Sequence, residues 1–232
     1  MPGKTPLSSH KQYRLNLDRI EQSLRAVQAD FERLSEQLLM RREPLTDQII
    51  DNLLTGYAYV DQLLEDGVEV FSPSGLDHIL ELNHIVLCGV NDSVRLEYGS
   101  HLLETRHRFA EGIGTIADWY ESKRHKSALR RAAGVYVLGV SQPQLFLEGN
   151  HRTGALVASY ILVQEGLPPF VLTPKNAVAY FNPSTMIKYR DKQKFLDRQY
   201  YLKKYRRVLQ NFFEETLDKR FRRSLRLDKE KG

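Results

Sequence analysis

The chain reads as a mainly α protein, and three features carry that reading. Leu17, Ile20, Leu24, Val27, Phe31, Leu34 and Leu38 recur at alternating steps of three and four, which places all seven on one helical stripe. Residues 47–65 and 76–88 carry apolar residues too densely for a narrow stripe, so both are expected as broadly buried helices. Helix punctuation falls between these stretches, at Pro44, at Glu65-Asp-Gly67 and at Ser72-Pro-Ser-Gly75.

Taken in order, residues 12–42 are expected to form one long helix. Its 3,4 repeat serves equally as a dimer seam or as a docking face for the chain's own body. Pro44 ends it, and Thr46 is placed to cap the helix over 47–65. Val68 to Phe71 add a short extended piece before the helix over 76–88. Residues 91–106 differ in kind: Val94–Tyr98 and His101–Thr105, turning at Gly99-Ser100, make either a short β-hairpin or an ordinary loop. Phe109–Tyr120 is a helix that the lone Trp119 anchors in the core. Ser127–Val140 is small and apolar enough to run through the middle of the domain, and Pro143 stops it. Helices over Ala155–Gln164 and Asn176–Tyr180 follow, then a turn at Asn182-Pro183-Ser184 and a long basic helix over Lys194–Leu227. The organisation is thus an N-terminal heptad-patterned helix (1–45), a helical core (46–190) and a basic C-terminal extension (191–232).

Composition narrows the function classes. The 232 residues suffice for one sizeable core. No run of about 18 apolar residues is present, so no membrane partner is expected. Residues 1–10 have no apolar core of the kind a secretory leader needs, and the single cysteine, Cys88, fits a reducing compartment; the expected location is cytoplasmic. The seven histidines show no metal-ligand spacing, which argues against zinc chemistry. The net charge of +5 is uneven: from Lys188 onward there are 16 Lys+Arg against 7 Asp+Glu, and before it 18 against 22. That basic tail is either a solvated helix surface or a face for nucleic acid or an acidic protein.

The most informative stretch is Gln144-Leu-Phe-Leu-Glu-Gly-Asn-His-Arg-Thr-Gly-Ala155, a loop that runs straight into an apolar helix. Gly149 lets the backbone approach a ligand closely, and the free N–H groups and positive dipole end of the following helix favour an anion. Arg152 adds a planar fork of donors suited to phosphate. Glu148 would repel the same anion unless a divalent ion such as Mg²⁺ lay between them.

These residues resemble the signature of the Fic (Fido) family, HPFxDGNGRxxR, in which Glu is common for Asp. Phe146, Glu148, Gly149, Asn150 and Arg152 fall in register, and Thr153-Gly154 matches a frequent RTG ending. Ala132-Ala133 through Val140 looks like the helix that leads into the Fic loop, and Leu167-Pro168-Pro169 is a common Fic sequence. The resemblance covers roughly residues 74–190. It implies a Fic-like helical bundle in which a β-hairpin flap, here at 91–106, precedes the loop and pairs with a target's backbone as an added strand. It also implies an ATP-like nucleotide as ligand, Mg²⁺ as cofactor with Glu148 as its ligand, and Gly149, Asn150, His151 and Arg152 as the phosphate-binding residues.

Three chemical positions depart from the family pattern. The leading His, the general base for transfer of a nucleotide phosphate, is Gln144, and an amide has no basic site near neutral pH. The second Arg, which grips the γ-phosphate, is Ala155, and the Gly after Asn is His151. Losing a positioned base forfeits roughly 10²–10⁴ in rate. His151 is the candidate substitute base. The expectation is a degenerate Fic-like protein that keeps the anion loop and acts as a regulatory or binding module rather than as an AMP transferase. The alternatives are an active nucleotidyl- or phospho-transferase with altered donor, and an interaction protein using the 12–42 helix, the 91–106 flap or the basic tail, with a homo-oligomer among its outcomes.

Overall fold

The computed structural model describes residues 13–224, and within them the chain is mainly helical, with one small sheet. Strand β1 (Tyr13–Leu15) pairs antiparallel with β2 (Arg222–Ser224), with Arg14 opposite Arg223. Asp61 accepts from the Leu15 backbone N–H (2.8 Å) and from Arg14 Nε (2.7 Å), so one buried carboxylate locks this pair to the core. Helices α1 (Leu17–Ala29) and α2 (Phe31–Ser35) follow. The expected single helix over 12–42 is therefore a strand, two helices broken at Asp30, and an irregular segment. Residues 36–45 leave the helix because they dock on a distant element: Asn182 Oδ1 accepts from the Leu39 N–H (2.9 Å) and Asn182 Nδ2 donates to the Gln37 carbonyl (3.3 Å). The expected stripe is real, and Ile20, Leu24, Val27, Phe31 and Leu34 are all buried within the chain itself. Docking, not a dimer seam, is what that stripe does.

Helix α3 (Asp47–Glu65) begins where Thr46 caps the Ile49 N–H, as expected. Helix α4 (Leu76–Cys88) packs beside it. The hairpin expected over 91–106 is instead helix α5 (Asp92–Glu97) and the first part of helix α6 (Gly99–Ser122). Asn91 caps the Ser93 and Val94 N–H groups, and Gly99 is not in the left-handed region that a tight hairpin turn requires, so local capping favours helix here. Helix α7 (Ala128–Val140), capped by Ser127, runs through the core against helix α8 (Asn150–Gln164). Trp119 covers Gly134 of α7 so closely that a Cβ there would lie 1.8 Å from the ring.

Helix α9 (Ala177–Lys188) contains Pro183, where a turn was expected. Burial of Tyr180, Phe181, Thr185 and Ile187 on both sides of the proline holds the helix together despite the lost backbone bond. The long basic helix is also shorter than expected: a π-helical turn at Asp197–Tyr201 leads into helix α10 (Leu202–Thr216). Asp218 then caps a short turn at Lys219–Phe221 that feeds β2. Leu225, Leu227 and His10 lie outside the described residues. Helix α10 packs on α7 and α9, so this helix of the expected basic extension lies against the core. No described helix is long and apolar enough to cross a membrane.

Candidate functional site

The loop between α7 and α8 is built by side chains that fold back on it. Phe146 points inward and stacks on Phe109 with ring centroids 5.6 Å apart. Asn150 grips the same residue twice: its Oδ1 accepts from the Phe146 N–H (2.9 Å) and its Nδ2 donates to the Phe146 carbonyl (2.8 Å). The amide expected to contact a ligand is thus consumed in shaping the loop. Gly149 sits at φ +72°, in the left-handed region, and caps α8; a Cβ there would lie 2.9 Å from Asn83 Nδ2. Asn83, fully buried on α4, donates to the Glu148 carbonyl (2.9 Å) and to Thr153 Oγ1 (3.0 Å). Lys192 closes the other end, with Nζ donating to the Leu138 (2.8 Å) and Pro143 (2.6 Å) carbonyls; burial pushes its pKa down to about 8.

Helix α8 starts five residues earlier than expected, at Asn150, so the N–H groups of Asn150, His151 and Arg152 are first-turn donors with no intrahelical acceptor. These residues border a cavity of about 360 Å³ whose lining also includes the charged Arg42, Glu43 and Lys188 and the apolar Leu24, Leu53, Phe170, Leu172 and Phe181. Ala155 lies in the lining as well. Arg42 is held by one arm: its Nη2 donates to the Phe181 carbonyl (3.2 Å), Ser184 Oγ (3.0 Å) and Thr185 Oγ1 (2.8 Å), while its buried Nε has no partner. Among the described residues, neither Arg42, Arg152 nor Lys188 forms an ion pair with a carboxylate.

The other expected site residues are placed less simply. Arg152 Nη1 donates to the Val86 carbonyl in the last turn of α4 (2.7 Å), so part of its fork satisfies a helix end; burial lowers its pKa, with Glu148 and Glu43 acting the other way. Glu148 is exposed and does not line the cavity. Gln144 lies outside the cavity too, in a separate groove with Glu104, His107, Arg108 and Lys192; its Nε2 donates to the Val140 carbonyl (3.1 Å) and its own carbonyl accepts from Arg108 Nε (3.0 Å). The position where the family keeps its base therefore faces a different surface from residues 149–152.

His151 lines the cavity, and burial, reinforced by Arg42 and Lys188, pushes its pKa down to about 3. So weak a base is a poor proton acceptor for catalysis. A closed set of hydroxyl bonds fixes its tautomer. Tyr180 donates to the His151 carbonyl (3.2 Å), and Tyr136 donates its single proton to Tyr180 (2.9 Å). His151 Nδ1, 2.9 Å from the Tyr136 oxygen, is then the donor in that pair, which leaves Nε2 a bare acceptor.

Mg²⁺ has a thin donor set here. Glu148 would be its protein ligand, with ligand phosphates and water completing the shell, a coordination this ion accepts. Among the described residues, no group of three or more His, Cys, Asp or Glu side chains is arranged to hold a metal.

Sequence reasoning missed Arg42, Asn83, Lys188 and Lys192. Asn83 had a signal, an amide inside the apolar run Ile79–Cys88. The others reach the site only through long-range docking. No family model, no curated protein and no solved structure matches this chain.

Proposed function

We propose that this chain is a degenerate Fic-like binding module that holds a small phosphate-bearing ligand in the cavity at the start of α8 and performs no nucleotide transfer. One observation carries the reading: cations without carboxylate partners converge with free first-turn N–H groups on one cavity. The Arg42 guanidinium keeps three hydrogen bonds from Nη2 and a place over the Phe181 ring, but its Nε has no partner and it forms no ion pair with Glu43 beside it, so an anionic ligand would add a charged partner. Support for the Fic-like assignment is the register of Phe146, Glu148, Gly149, Asn150 and Arg152 on a loop between two core helices.

The absence of transfer follows from chemistry. Gln144 has no basic site and faces another groove, and His151 is too weak a base. Ala155 leaves no second cation where the family grips the γ-phosphate. Glu148, the residue expected to hold Mg²⁺, is exposed and lies outside the cavity, so the proposed anion site rests on Arg42, Lys188 and residues 149–152 without a metal.

Calorimetry with AMP, ADP, ATP and inorganic phosphate, with and without Mg²⁺, tests the reading. Saturable binding that is weakened at least about tenfold by Arg42→Met supports it. No binding by any of these at millimolar concentration rejects it, and transfer of labelled AMP to protein in a lysate rejects its second half.

A second reading rests on the outer face of α10. Lys203, Lys204 and Arg207 lie there beside the exposed Tyr200 of the preceding π-helical turn, and Phe195 and Leu196 just before that turn are exposed as well. Aromatic and basic residues interleaved this way suit stacking on single-stranded nucleic acid. Salt-sensitive binding of an oligonucleotide that is lost in Lys203→Glu/Lys204→Glu favours it; binding unchanged in that variant excludes this face.

A further inference from the structure

The anion reading leaves open what else the ligand carries, and the cavity itself restricts this. We infer that it takes an acid with an apolar body whose head keeps one hydroxyl, the monoanion of an aryl or alkyl phosphate monoester or phosphonic acid, rather than a nucleoside triphosphate. The inference rests on the proposed anion site and refines it.

The apolar part follows from the lining. Apolar and aromatic side chains, Leu24, Leu53, Leu172, Phe170 and Phe181 among them, form the greater share of the wall. The tyrosine hydroxyls in the lining that might read a nucleobase are already used: Tyr57 OH donates to the Phe170 carbonyl (2.7 Å), and the Tyr180 OH donates to the His151 carbonyl (3.2 Å). A base with several donors and acceptors would leave them unpaired there, at a cost an aryl or alkyl group does not incur. A volume near 360 Å³ is at the small end for ligand sites, and one anionic head already engages Arg42, Lys188 and the α8 N–H groups.

The hydroxyl follows from His151. Its Nδ1 proton is committed to Tyr136, whose own proton goes to Tyr180, so Nε2 offers a lone pair and has no partner among the described residues. A fully ionised head would place oxygen lone pairs against that nitrogen. A head that retains one P–OH donates to it while its charged oxygens meet Arg42 and Lys188.

Calorimetry on the full chain at pH 5.5 separates these elements with three probes: phenylphosphonate, inorganic phosphate and benzenesulfonate. All carry about one negative charge at that pH, but the sulfonate has no hydroxyl and inorganic phosphate no apolar body. The expected result is phenylphosphonate binding at least about tenfold more tightly than either of the others. Affinity equal to that of inorganic phosphate overturns the apolar body, and affinity equal to that of benzenesulfonate overturns the hydroxyl contact; the anion site survives both results. If none of the three binds and the nucleotides also fail, the anion site itself falls. ATP binding more tightly than phenylphosphonate overturns this inference while upholding the broader reading.

Discussion

Replacing Gly149 by Ala perturbs the loop at the point where fold and site meet. The left-handed conformation at φ +72° costs an alanine about 1–2 kcal/mol. The new Cβ would also lie 2.9 Å from Asn83 Nδ2 and 3.2 Å from Val86 Cγ2, so the amide must move. Moving it strains or breaks its bonds to the Glu148 carbonyl and Thr153 Oγ1, worth roughly 0.5–1.5 kcal/mol each. The sum is about 2–5 kcal/mol, or a fall in melting temperature of roughly 5–15 °C for a chain of this size. Gly67 provides the control: it too has positive φ (+64°), but nothing lies within 4 Å of the point a Cβ would occupy, so Gly67→Ala incurs the conformational cost alone. Urea and thermal unfolding of both variants are the assay. If Gly149→Ala is no more destabilising than Gly67→Ala, the packing of Asn83 under the loop does not hold it in place.

Four further outcomes are expected. Because the folded-state pKa of His151 lies below its unfolded value, its contribution to stability is complete above about pH 6.5 and declines as pH falls toward about 3, by up to about 1.4 kcal/mol per pH unit. Unfolding measured from pH 7 to pH 4.5 should therefore show a steeper decline than in His151→Asn, and parallel profiles would contradict burial of a neutral imidazole; His84, also lowered by burial, adds a decline common to both proteins. Asn150→Ala removes both bonds to the Phe146 backbone and should cost about 2–4 kcal/mol by urea unfolding, whereas a change under about 0.5 kcal/mol, the scale of an ordinary surface substitution, would show that another group holds the loop. Gly134→Ala should destabilise by about 1–3 kcal/mol, since the Trp119 ring must leave the space its Cβ needs; a near-native melting temperature would mean the indole moves freely. Asp61→Ala should free the β1–β2 pair and speed amide exchange at Leu15, and unchanged protection there would remove Asp61 from its role as the lock.

What the sequence disclosed and what it withheld divide by range. The cap at Thr46, the helices over 47–65 and 76–88 and the buried helix before the loop are each decided by residues within a few positions of one another, and all are legible locally. The flap at 91–106 misled because Leu and Glu suit either structure, and the cap at Asn91 decides between them. The break after Ser35 was not legible, since it depends on Asn182, more than 140 positions away. The same docking brings Arg42 to the cavity, which is why that cation had no signature, while Asn150 and Arg152, prominent in the motif, turn out to commit the Asn150 amide to Phe146 and one Arg152 nitrogen to Val86. The pairing of β1 with β2 joins residues about 210 positions apart and has no local cue beyond three residues on each side.

The most direct test of the anion site is to follow the backbone amide resonances of Asn150, His151 and Arg152 while phenylphosphonate is added. An anion site at the start of α8 predicts saturable shifts at these three positions with one shared dissociation constant, and their loss in Arg42→Met. Shifts that never saturate, or that centre on Lys203, Lys204 and Arg207 instead, would contradict it.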